Sequence, residues 1–217
     1  IMRTYNTAPF VEASIESIRS QNIDSSLFET IAIDGGSTDE TRTILAEHED
    51  FLNILFGQHE GAIKALNRGI ADAKGDYIIL LDGDDEFEHN TLSELYQTLQ
   101  SDPKRGFAYA DYTEEFPAEG TKTYVSLKEN VFNSIAGGIL WQKSIIDEFG
   151  GYDETLIFPE YDLLLKAMKR YEGVYVPQPL YRYKRHGHAM TANKERVALG
   201  KKQLYERYGE TINIRNY

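Results

Sequence analysis

The sequence contains no cysteine, which excludes disulfide bonds, thiolate metal sites and a cysteine nucleophile. Basic residues are scarce as well: 23 Lys and Arg stand against 35 Asp and Glu, for a formal net charge of −12. A chain this acidic makes a poor nucleic-acid binder, because basic patches set that affinity. We therefore expect no nucleic-acid partner, and the lack of cysteine fits a reducing, cytoplasmic compartment.

Long apolar runs and the common nucleotide-binding fingerprints are also missing. No run approaches the ~20 apolar residues of a transmembrane helix, and no signal peptide is visible, so we expect no integral membrane segment. Peripheral contact with the inner face of a membrane stays open. Neither Gly-x-x-x-x-Gly-Lys-Ser/Thr nor Gly-x-Gly-x-x-Gly occurs, which removes the usual support for kinase-like or nicotinamide chemistry.

One stretch joins an apolar run to an abrupt acidic end. Tyr77 to Leu81 is a short apolar run, typical of a strand buried on both faces of a parallel sheet, and Asp82-Gly83-Asp84-Asp85 follows at once. Open α/β sheets bind ligands beyond the carboxyl ends of their strands. Three carboxylates there favour a divalent cation that bridges to a phosphate, although a solvated turn is the alternative. A calcium-binding EF-hand is excluded, because Phe87 and Ser93 occupy its obligatory glycine and glutamate positions.

The first half of the chain alternates strands with helices, which is typical of a parallel, doubly wound sheet. We predict strands at Ile1–Thr4, Phe28–Ile33, Leu52–Phe56 and Tyr77–Leu81. We also predict three helices: one capped by Thr7, one that begins at a Ser37–Glu40 capping box, and one that spans Gly61–Ala73. The second half is less regular. We predict helices at 90–99, 143–149, 159–171 and 192–208, and strands at 107–112, 122–127, 137–141, 174–176 and 180–183.

Six short motifs follow one another along the chain. They are Thr4-Tyr5-Asn6, Asp34-Gly35-Gly36-Ser37-Thr38-Asp39, Asp82-Gly83-Asp84-Asp85, Gly150-Gly151-Tyr152-Asp153-Glu154, Pro159-Glu160-Tyr161-Asp162-Leu163 and Tyr181-Arg182-Tyr183-Lys184-Arg185-His186. Taken in this order, they resemble the motifs of the inverting family 2 glycosyltransferases. The resemblance implies an α/β GT-A fold, with a mostly parallel doubly wound sheet flanked by helices and a Rossmann-like N-terminal half. It further implies one domain over 1–217, with a nucleotide-sugar-binding half at 1–112 and an acceptor-binding half at 113–217.

The resemblance also assigns the donor site. Thr4, Tyr5 and Asn6 would line the nucleotide pocket, and Asp34 would accept the N3 hydrogen of a uracil or thymine ring. In the acidic motif, Asp82 would lie near the ribose or a metal-bound water and Gly83 beside the donor. Asp84 would bind the metal directly, while Asp85 could support either role. The metal, Mn²⁺ or Mg²⁺, would hold the diphosphate and stabilise it as a leaving group.

The same resemblance assigns the reaction and its base. An inverting transfer needs a carboxylate that takes the acceptor hydroxyl proton. Glu160 stands in that position, where the family more often has aspartate, and Asp162 is the neighbouring alternative. His186, which matches the motif better than His188, would touch phosphate or metal. We therefore expect a hexosyltransferase-type enzyme that uses a nucleotide-diphosphate sugar, with UDP as the expected nucleotide, and a glycan or lipid-linked acceptor.

Two departures from the family pattern leave alternatives open: Pro159 replaces the usual glutamate before the base, and an arginine is missing from an earlier helix. Many members carry an arginine before an asparagine in the helix that precedes the acidic strand, but Leu66 precedes Asn67 here. Lys64 is the candidate replacement for that charge, since Arg68 is displaced by one residue. Trp141 could form an acceptor platform or pack in the core. A sugar-phosphate nucleotidyltransferase and a catalytically degenerate nucleotide-sugar-binding module remain the alternative functions.

Overall fold

The computed structural model describes residues 1–57, 61–102, 104–133, 137–187 and 192–209. Its strands are β1 (Met2–Thr4), β2 (Thr30–Asp34), β3 (Leu52–Phe56), β4 (Tyr77–Ile79), β5 (Leu81–Asp82), β6 (Glu86–Phe87), β7 (Phe107–Phe116), β8 (Thr121–Val125), β9 (Ile139–Gln142) and β10 (Gly173–Lys184). Its helices are α1 (Val11–Arg19), α2 (Thr41–Glu47), α3 (Ala62–Asp72), α4 (Thr91–Gln100), α5 (Lys143–Glu148), α6 (Pro159–Ala167) and α7 (Lys194–Tyr208).

A four-stranded parallel sheet forms the N-terminal half, in the order β3-β2-β1-β5. Helices cover both of its faces, as the alternating pattern predicted. Met2, Ala32 and Leu81 pack with α1 on one side, whereas Ile31 and Ile33 pack with α3 and α6 on the other. The carboxyl ends of the four strands consequently lie at one edge.

A second, mixed sheet carries the C-terminal half, in the order β4-β9-β7-β10-β6, with β8 paired to β7. β7 and β10 run parallel, while β9 and β6 run antiparallel to their neighbours. The predicted strand Tyr77–Leu81 serves both sheets: Tyr77–Ile79 pairs with β9, and Leu81–Asp82 pairs with β1. The run is therefore buried on both sides, as predicted, but it connects two sheets and is not a single strand of one sheet.

Several element boundaries differ from the predictions. The two predicted strands at 174–176 and 180–183 are one strand, β10, whose register shifts around Pro179. Neither predicted cap forms: α1 begins at Val11 and α2 at Thr41, and neither has a side-chain cap. Ser37, Thr38 and Asp39 contact the loop after β1, and Asp39 Oδ1 also accepts from the Thr41 amide at the start of α2.

The C-terminal helix α7 docks through its few apolar residues. Val197 and Leu204 are buried against Phe158 and Tyr161, next to the start of α6. Gly200 allows this approach, since an added Cβ would lie 2.5 Å from the Phe158 ring. The polar helix predicted at 192–208 is therefore packed on the segment that carries Glu160.

Candidate active site

The predicted motifs meet at one edge of the parallel sheet. Thr4 pairs with Asp34, and Arg3 pairs with Asp82, in neighbouring parallel strands. Parallel neighbours end on the same side, so the loops that follow β1, β2 and β5 lie together. This places the first three motifs of the sequence along one edge of the sheet, and we call the edge formed by the loops after β1, β2 and β5 the cleft edge.

The loop after β5 packs tightly against β1. The Gly83 amide donates to the Arg3 carbonyl oxygen at 2.7 Å, and the Asp85 amide closes the turn on the Asp82 carbonyl oxygen at 3.0 Å. A Cβ on Gly83 would lie 2.6 Å from Thr4 Cγ2 and 3.0 Å from the Arg3 carbonyl oxygen. Only glycine therefore lets the acidic loop sit this close to the strand.

Asp85 anchors the acidic loop to β10. Its residue is 1% exposed, and its carboxylate accepts hydrogen bonds from the Tyr181 hydroxyl and the Lys184 amide, both at 2.8 Å. Burial, followed by the charges of Asp84 and Asp82, raises the pKa of Asp85 well above its ordinary value. The Tyr181 hydroxyl also accepts from the Asp82 amide at 3.3 Å. Asp85 is thus a structural anchor and leaves the outward positions to Asp82 and Asp84.

Asp84 and His186 meet across the cleft edge. His186 Nε2 lies 2.8 Å from Asp84 Oδ2, and the two side chains are 13% and 21% exposed. The imidazole is stacked on Phe10, with ring centroids 4.5 Å apart. Among the described residues no cluster of three or more histidine, aspartate or glutamate side chains forms a complete metal cage. One carboxylate and one imidazole fit a cation whose remaining ligands are diphosphate oxygens and water, as Mg²⁺ and Mn²⁺ sites often are.

A second ionic group lies beneath this edge, on the α6 side of the sheet. Arg3 Nε donates to Asp82 Oδ1 at 2.8 Å, and another guanidinium nitrogen of Arg3 contacts Glu160 Oε1 at 2.6 Å. Burial lowers the pKa of Arg3, but the charges of Asp82 and Glu160 outweigh it and the net shift is upward. Burial raises the pKa of Asp82, and Arg3 only partly offsets this. A charged bridge therefore connects the acidic loop to the start of α6.

A family model described as "Glycosyl transferase family 2" matches residues 1–150. The chain belongs to this family. The predicted family resemblance is therefore confirmed over more than two thirds of the sequence.

Curated relatives from bacteria are glycosyltransferases. An uncharacterized glycosyltransferase of Rickettsia prowazekii, RP339, is 28% identical over 224 residues, spanning 95% of this chain and 68% of that protein. Glycosyltransferase GlyG of Streptococcus pneumoniae is 33% identical over 104 residues, spanning 46% of this chain and 34% of that protein. The chain thus spans only about a third of the length of GlyG.

Solved structures confirm the GT-A fold. The structure of Staphylococcus aureus TarS 1-349 in complex with UDP-GlcNAc has a TM-score of 0.72 at 17% identity, covering 99% of this chain and 66% of that one. Mannosyltransferase PcManGT from Pyrobaculum calidifontis, in complex with GDP-Man and Mn²⁺, has a TM-score of 0.75 at 20% identity, covering 95% and 62%. Within the described part of the chain, no helix combines the length and apolar character that crossing a membrane requires.

The first two motifs of this family 2 chain divide into exposed and buried residues. Tyr5 is 63% exposed, whereas Thr4 is buried. Asn6 has a left-handed backbone with φ 52°, and its side chain accepts from the Thr38 amide at 2.8 Å. The Asn6 amide in turn donates to Ser37 Oγ at 2.9 Å. Asn6 thus joins the first two motif loops. This contact was not predicted, because Ser37 and Thr38 were assigned to a capping box.

Asp34 lies inside its loop and does not face the cleft. Its side chain is fully buried, and Oδ2 accepts from the Gly36 amide at 3.1 Å, the Ser37 amide at 3.1 Å and Arg42 Nε at 2.6 Å. Burial raises the pKa of Asp34, but the bonds from Ser37 and Arg42 outweigh it, so that the net shift is downward. In this arrangement, the expected contact with a uracil N3 hydrogen requires Arg42 to move aside.

The two candidate bases have different surroundings. Glu160 is 18% exposed and shares only Oε1 with Arg3, whereas Asp162 is 2% exposed. Asp162 contacts Lys166 Nζ at 2.6 Å, Arg207 at 2.9 Å and the Tyr208 hydroxyl. Its carboxylate therefore holds α7 on α6, and Glu160 is the more accessible of the two carboxylates.

The remaining candidates resolve into surface and core residues. Lys64 is exposed on α3, while Leu66 is fully buried. Asn67 binds the Tyr152 backbone, with its amide nitrogen 2.8 Å from the carbonyl oxygen. Trp141 is 3% exposed and packs 4.6 Å from Phe107, so that the acceptor-platform hypothesis is wrong. His188 lies outside the described residues.

Sequence reasoning missed Arg3, although a signal was present. Arg3 sits between two buried residues of a short central strand, Met2 and Thr4, where a charged side chain requires a partner. That partner could not be found by spacing, because Glu160 is 157 positions away.

Proposed function

We propose that this chain is the catalytic domain of a metal-dependent, inverting glycosyltransferase. It would transfer a sugar from a nucleotide-diphosphate donor, with UDP as the expected nucleotide, to a hydroxyl of a glycan or lipid-linked acceptor. The observation that carries the proposal is one cleft edge that holds the Asp84–His186 pair and, joined to the same acidic loop through Arg3, the carboxylate of Glu160. Residues 1–112 would bind the donor and residues 113–217 would supply the base and bind the acceptor.

The donor half of the proposal rests on the loops after β1, β2 and β5. The exposed ring of Tyr5 can stack on a base, while Thr4, Asn6 and Asp34 hold the pocket loops in shape. Gly83 lets the acidic loop lie close to β1, so that its backbone can approach the diphosphate. Two solved structures that share the fold contain UDP-GlcNAc, or GDP-Man with Mn²⁺, which supports this type of donor.

Asp84 and His186 would hold the cation, which is Mn²⁺ or Mg²⁺. Bound there, the cation supplies positive charge that stabilises the departing diphosphate. The chain's overall charge of −12 means that an anionic donor needs either such a cation or a local basic cluster, and the Asp84–His186 pair supports the cation. Lys64, exposed on α3, is a further candidate for contact with the donor.

Glu160 would be the general base. It accepts the proton of the acceptor hydroxyl as that oxygen attacks the anomeric carbon from the side opposite the diphosphate. Attack from that side inverts the anomeric configuration. Glu160 lies in the first turn of α6, where the helix dipole and the Arg3 guanidinium stabilise the negative charge of its carboxylate.

Calorimetric titration of UDP tests the donor site. Binding should be observed with Mn²⁺, should disappear with EDTA, and should weaken at least about tenfold in Asp84→Asn, since one ligand is removed. Asp76→Asn, an exposed aspartate directly before β4, is the matched control and should bind normally. GDP is titrated in parallel, and absence of binding by both nucleotides would contradict the proposal.

Release of UDP from UDP-sugars tests turnover. The wild-type chain should release UDP from at least one donor, and Glu160→Gln should lose about 10²- to 10⁴-fold in rate while it still binds UDP. A chain that binds UDP but releases none from any donor or acceptor mixture would be a binding module.

A further inference from the structure

Arg3 is placed where a strand side chain meets helix α6. In β1, the flanking residues Met2 and Thr4 are buried, whereas the Arg3 side chain is 20% exposed and turns to the opposite face. That face carries α3 and α6. A guanidinium in the centre of a parallel sheet is unfavourable unless it is paired, so its partners identify its role.

The guanidinium contacts two carboxylates from distant parts of the chain. Two of its nitrogens, Nε and one terminal nitrogen, lie 2.8 and 2.6 Å from Asp82 Oδ1. The other terminal nitrogen lies 2.6 Å from Glu160 Oε1. A planar fork can hold both acids at fixed angles, which a lysine ammonium on a flexible stem cannot do.

The contact to Glu160 engages only one carboxylate oxygen. Among the described residues, no hydrogen-bond donor contacts Oε2, and the side chain keeps 18% of its surface exposed. The pairing therefore fixes the rotamer of Glu160 while it leaves one oxygen available. It also places a positive charge between Asp82 and Glu160, which would otherwise repel each other.

We propose that Arg3 is the positioning residue of the general base: it orients Glu160 by Oε1 and joins it to the acidic loop through Asp82. This inference rests on the proposed function. In the step it serves, the acceptor O–H bond breaks and the proton passes to Glu160 Oε2. The acceptor oxygen forms a bond to the anomeric carbon, and the bond from that carbon to the diphosphate oxygen breaks, with its electron pair leaving on the diphosphate.

Arg3 also bears on the arginine that is missing from α3, the helix before the acidic loop. Leu66 occupies the position of the family arginine and is fully buried, and the candidate replacement Lys64 is exposed on the surface of α3. Strand β1 supplies instead a cation that touches both acids. The cation that bridges Asp82 and Glu160 thus comes from a residue outside all six motifs.

The test compares Arg3→Met, Arg3→Lys and the double variant Arg3→Met/Glu160→Gln with the wild type. The measurements are the rate of UDP release from the best UDP-sugar, with kcat and KM separated, and the affinity for UDP with Mn²⁺. Methionine keeps the apolar stem and removes the charge. Arg170→Met, whose arginine is 61% exposed and paired with Glu148, is the matched control and should leave both measurements unchanged.

We expect Arg3→Met to lower kcat about 100-fold, because the base is displaced. UDP affinity should stay within about threefold of wild type, because the acidic loop keeps the bond from the Gly83 amide to the carbonyl oxygen of residue 3 and the anchoring of Asp85 on β10. Arg3→Lys should recover about tenfold of that loss, since it restores the charge without the fork. In the Glu160→Gln background, Arg3→Met should lower the residual rate by less than about threefold, because the effects of two residues that act as a unit are not additive. If Arg3→Met does not fold, Arg3→Lys provides the comparison.

Other outcomes overturn the inference in different ways. Unchanged kcat in Arg3→Met would show that Arg3 has only a structural role. A loss confined to UDP affinity would assign Arg3 to the donor site. An increase in kcat would show that the ion pair with Glu160 slows the reaction. A wild-type chain that binds UDP and releases none refutes the proposed function, and the positioning role falls with it. A wild-type chain that turns over beside an equally fast Arg3→Met variant refutes only the positioning role.

Discussion

Asp162→Asn and Glu160→Gln should separate stability from catalysis. Asp162 is 2% exposed and contacts Lys166, Arg207 and the Tyr208 hydroxyl. An amide cannot satisfy these donors, and removing one partner of a buried ionic group costs about 3–5 kcal/mol. The two cations are about one third exposed and can turn to water. We therefore expect the lower end, about 3 kcal/mol, which lowers Tm by about 6–12 °C in a domain of this size.

Glu160→Gln should have the opposite profile. The amide keeps an oxygen that can accept from Arg3, and Arg3 retains Asp82 as its ionic partner. We expect a loss of about 1 kcal/mol or less, which lowers Tm by no more than about 4 °C. The rate of UDP release should nevertheless fall about 10²- to 10⁴-fold, because glutamine cannot accept the proton.

Thermal unfolding followed by circular dichroism, together with initial rates of UDP release well below either Tm, provides the comparison. Asp147→Asn is the matched control for Asp162→Asn, since Asp147 forms the same i,i+4 pair, with Lys143, but is 54% exposed. It should change stability by less than about 0.5 kcal/mol. The reasoning is refuted if Asp162→Asn is folded, as stable as wild type and inactive, because Asp162 would then be the base.

Three further predictions concern the acidic loop and the α7 contact. Tyr181→Phe removes the hydroxyl bonded to Asp85, which should cost about 2 kcal/mol in urea unfolding, because a buried acceptor loses its donor. The pKa of Asp153 is lowered to about 2 by hydrogen bonds from Thr155 and Arg207, so its contribution to stability is present above about pH 4 and is lost as the pH falls through about 2. Asp153→Asn should accordingly cost less than about 1 kcal/mol at pH 6, the side chain being partly hydrated, and less still at pH 3 by urea titration. Gly83→Ala places a Cβ 2.6 Å from Thr4 Cγ2, and should weaken UDP binding with Mn²⁺ about 10- to 100-fold in calorimetry.

The Tyr181 and Gly83 predictions each have a control within the chain. Tyr109→Phe changes a half-buried tyrosine of β7 whose hydroxyl has no hydrogen bond among the described residues, so it should alter unfolding by less than Tyr181→Phe. Gly75→Ala, whose Cβ would meet only ordinary contact at 3.4 Å, should leave UDP binding intact. Equal effects in variant and control would show that Asp85 and Gly83 do not shape the loop. A cost of Asp153→Asn that grows as the pH falls would contradict the linkage.

Much of the fold could be predicted because its signals are local. The run Tyr77–Leu81 and the alternation of apolar strands with amphipathic helices indicated a doubly wound sheet, and its parallel half is observed. Motifs placed directly after strands indicated where the cleft edge lies. The cap at Thr7 was wrong, because α1 begins only at Val11 and the buried Thr7 hydroxyl has no hydrogen-bond partner among the described residues. The Ser37–Glu40 capping box was wrong, because Ser37 Oγ accepts from the Asn6 amide of a neighbouring loop and only Asp39 bonds an amide of α2.

The sequence alone determined the family, the fold class and the choice of carboxylates, since each depends on residue type and order along the chain. Tertiary structure alone decided what each carboxylate does. Asp34 and Asp85 were turned inward by Arg42 and Tyr181, Asp162 was engaged by α7, and Glu160 was joined to Arg3. Periodicity reports which face of an element is buried, but it cannot report which side chain 157 positions away completes an ion pair, because that pairing exists only when the two sheets and their helices are assembled.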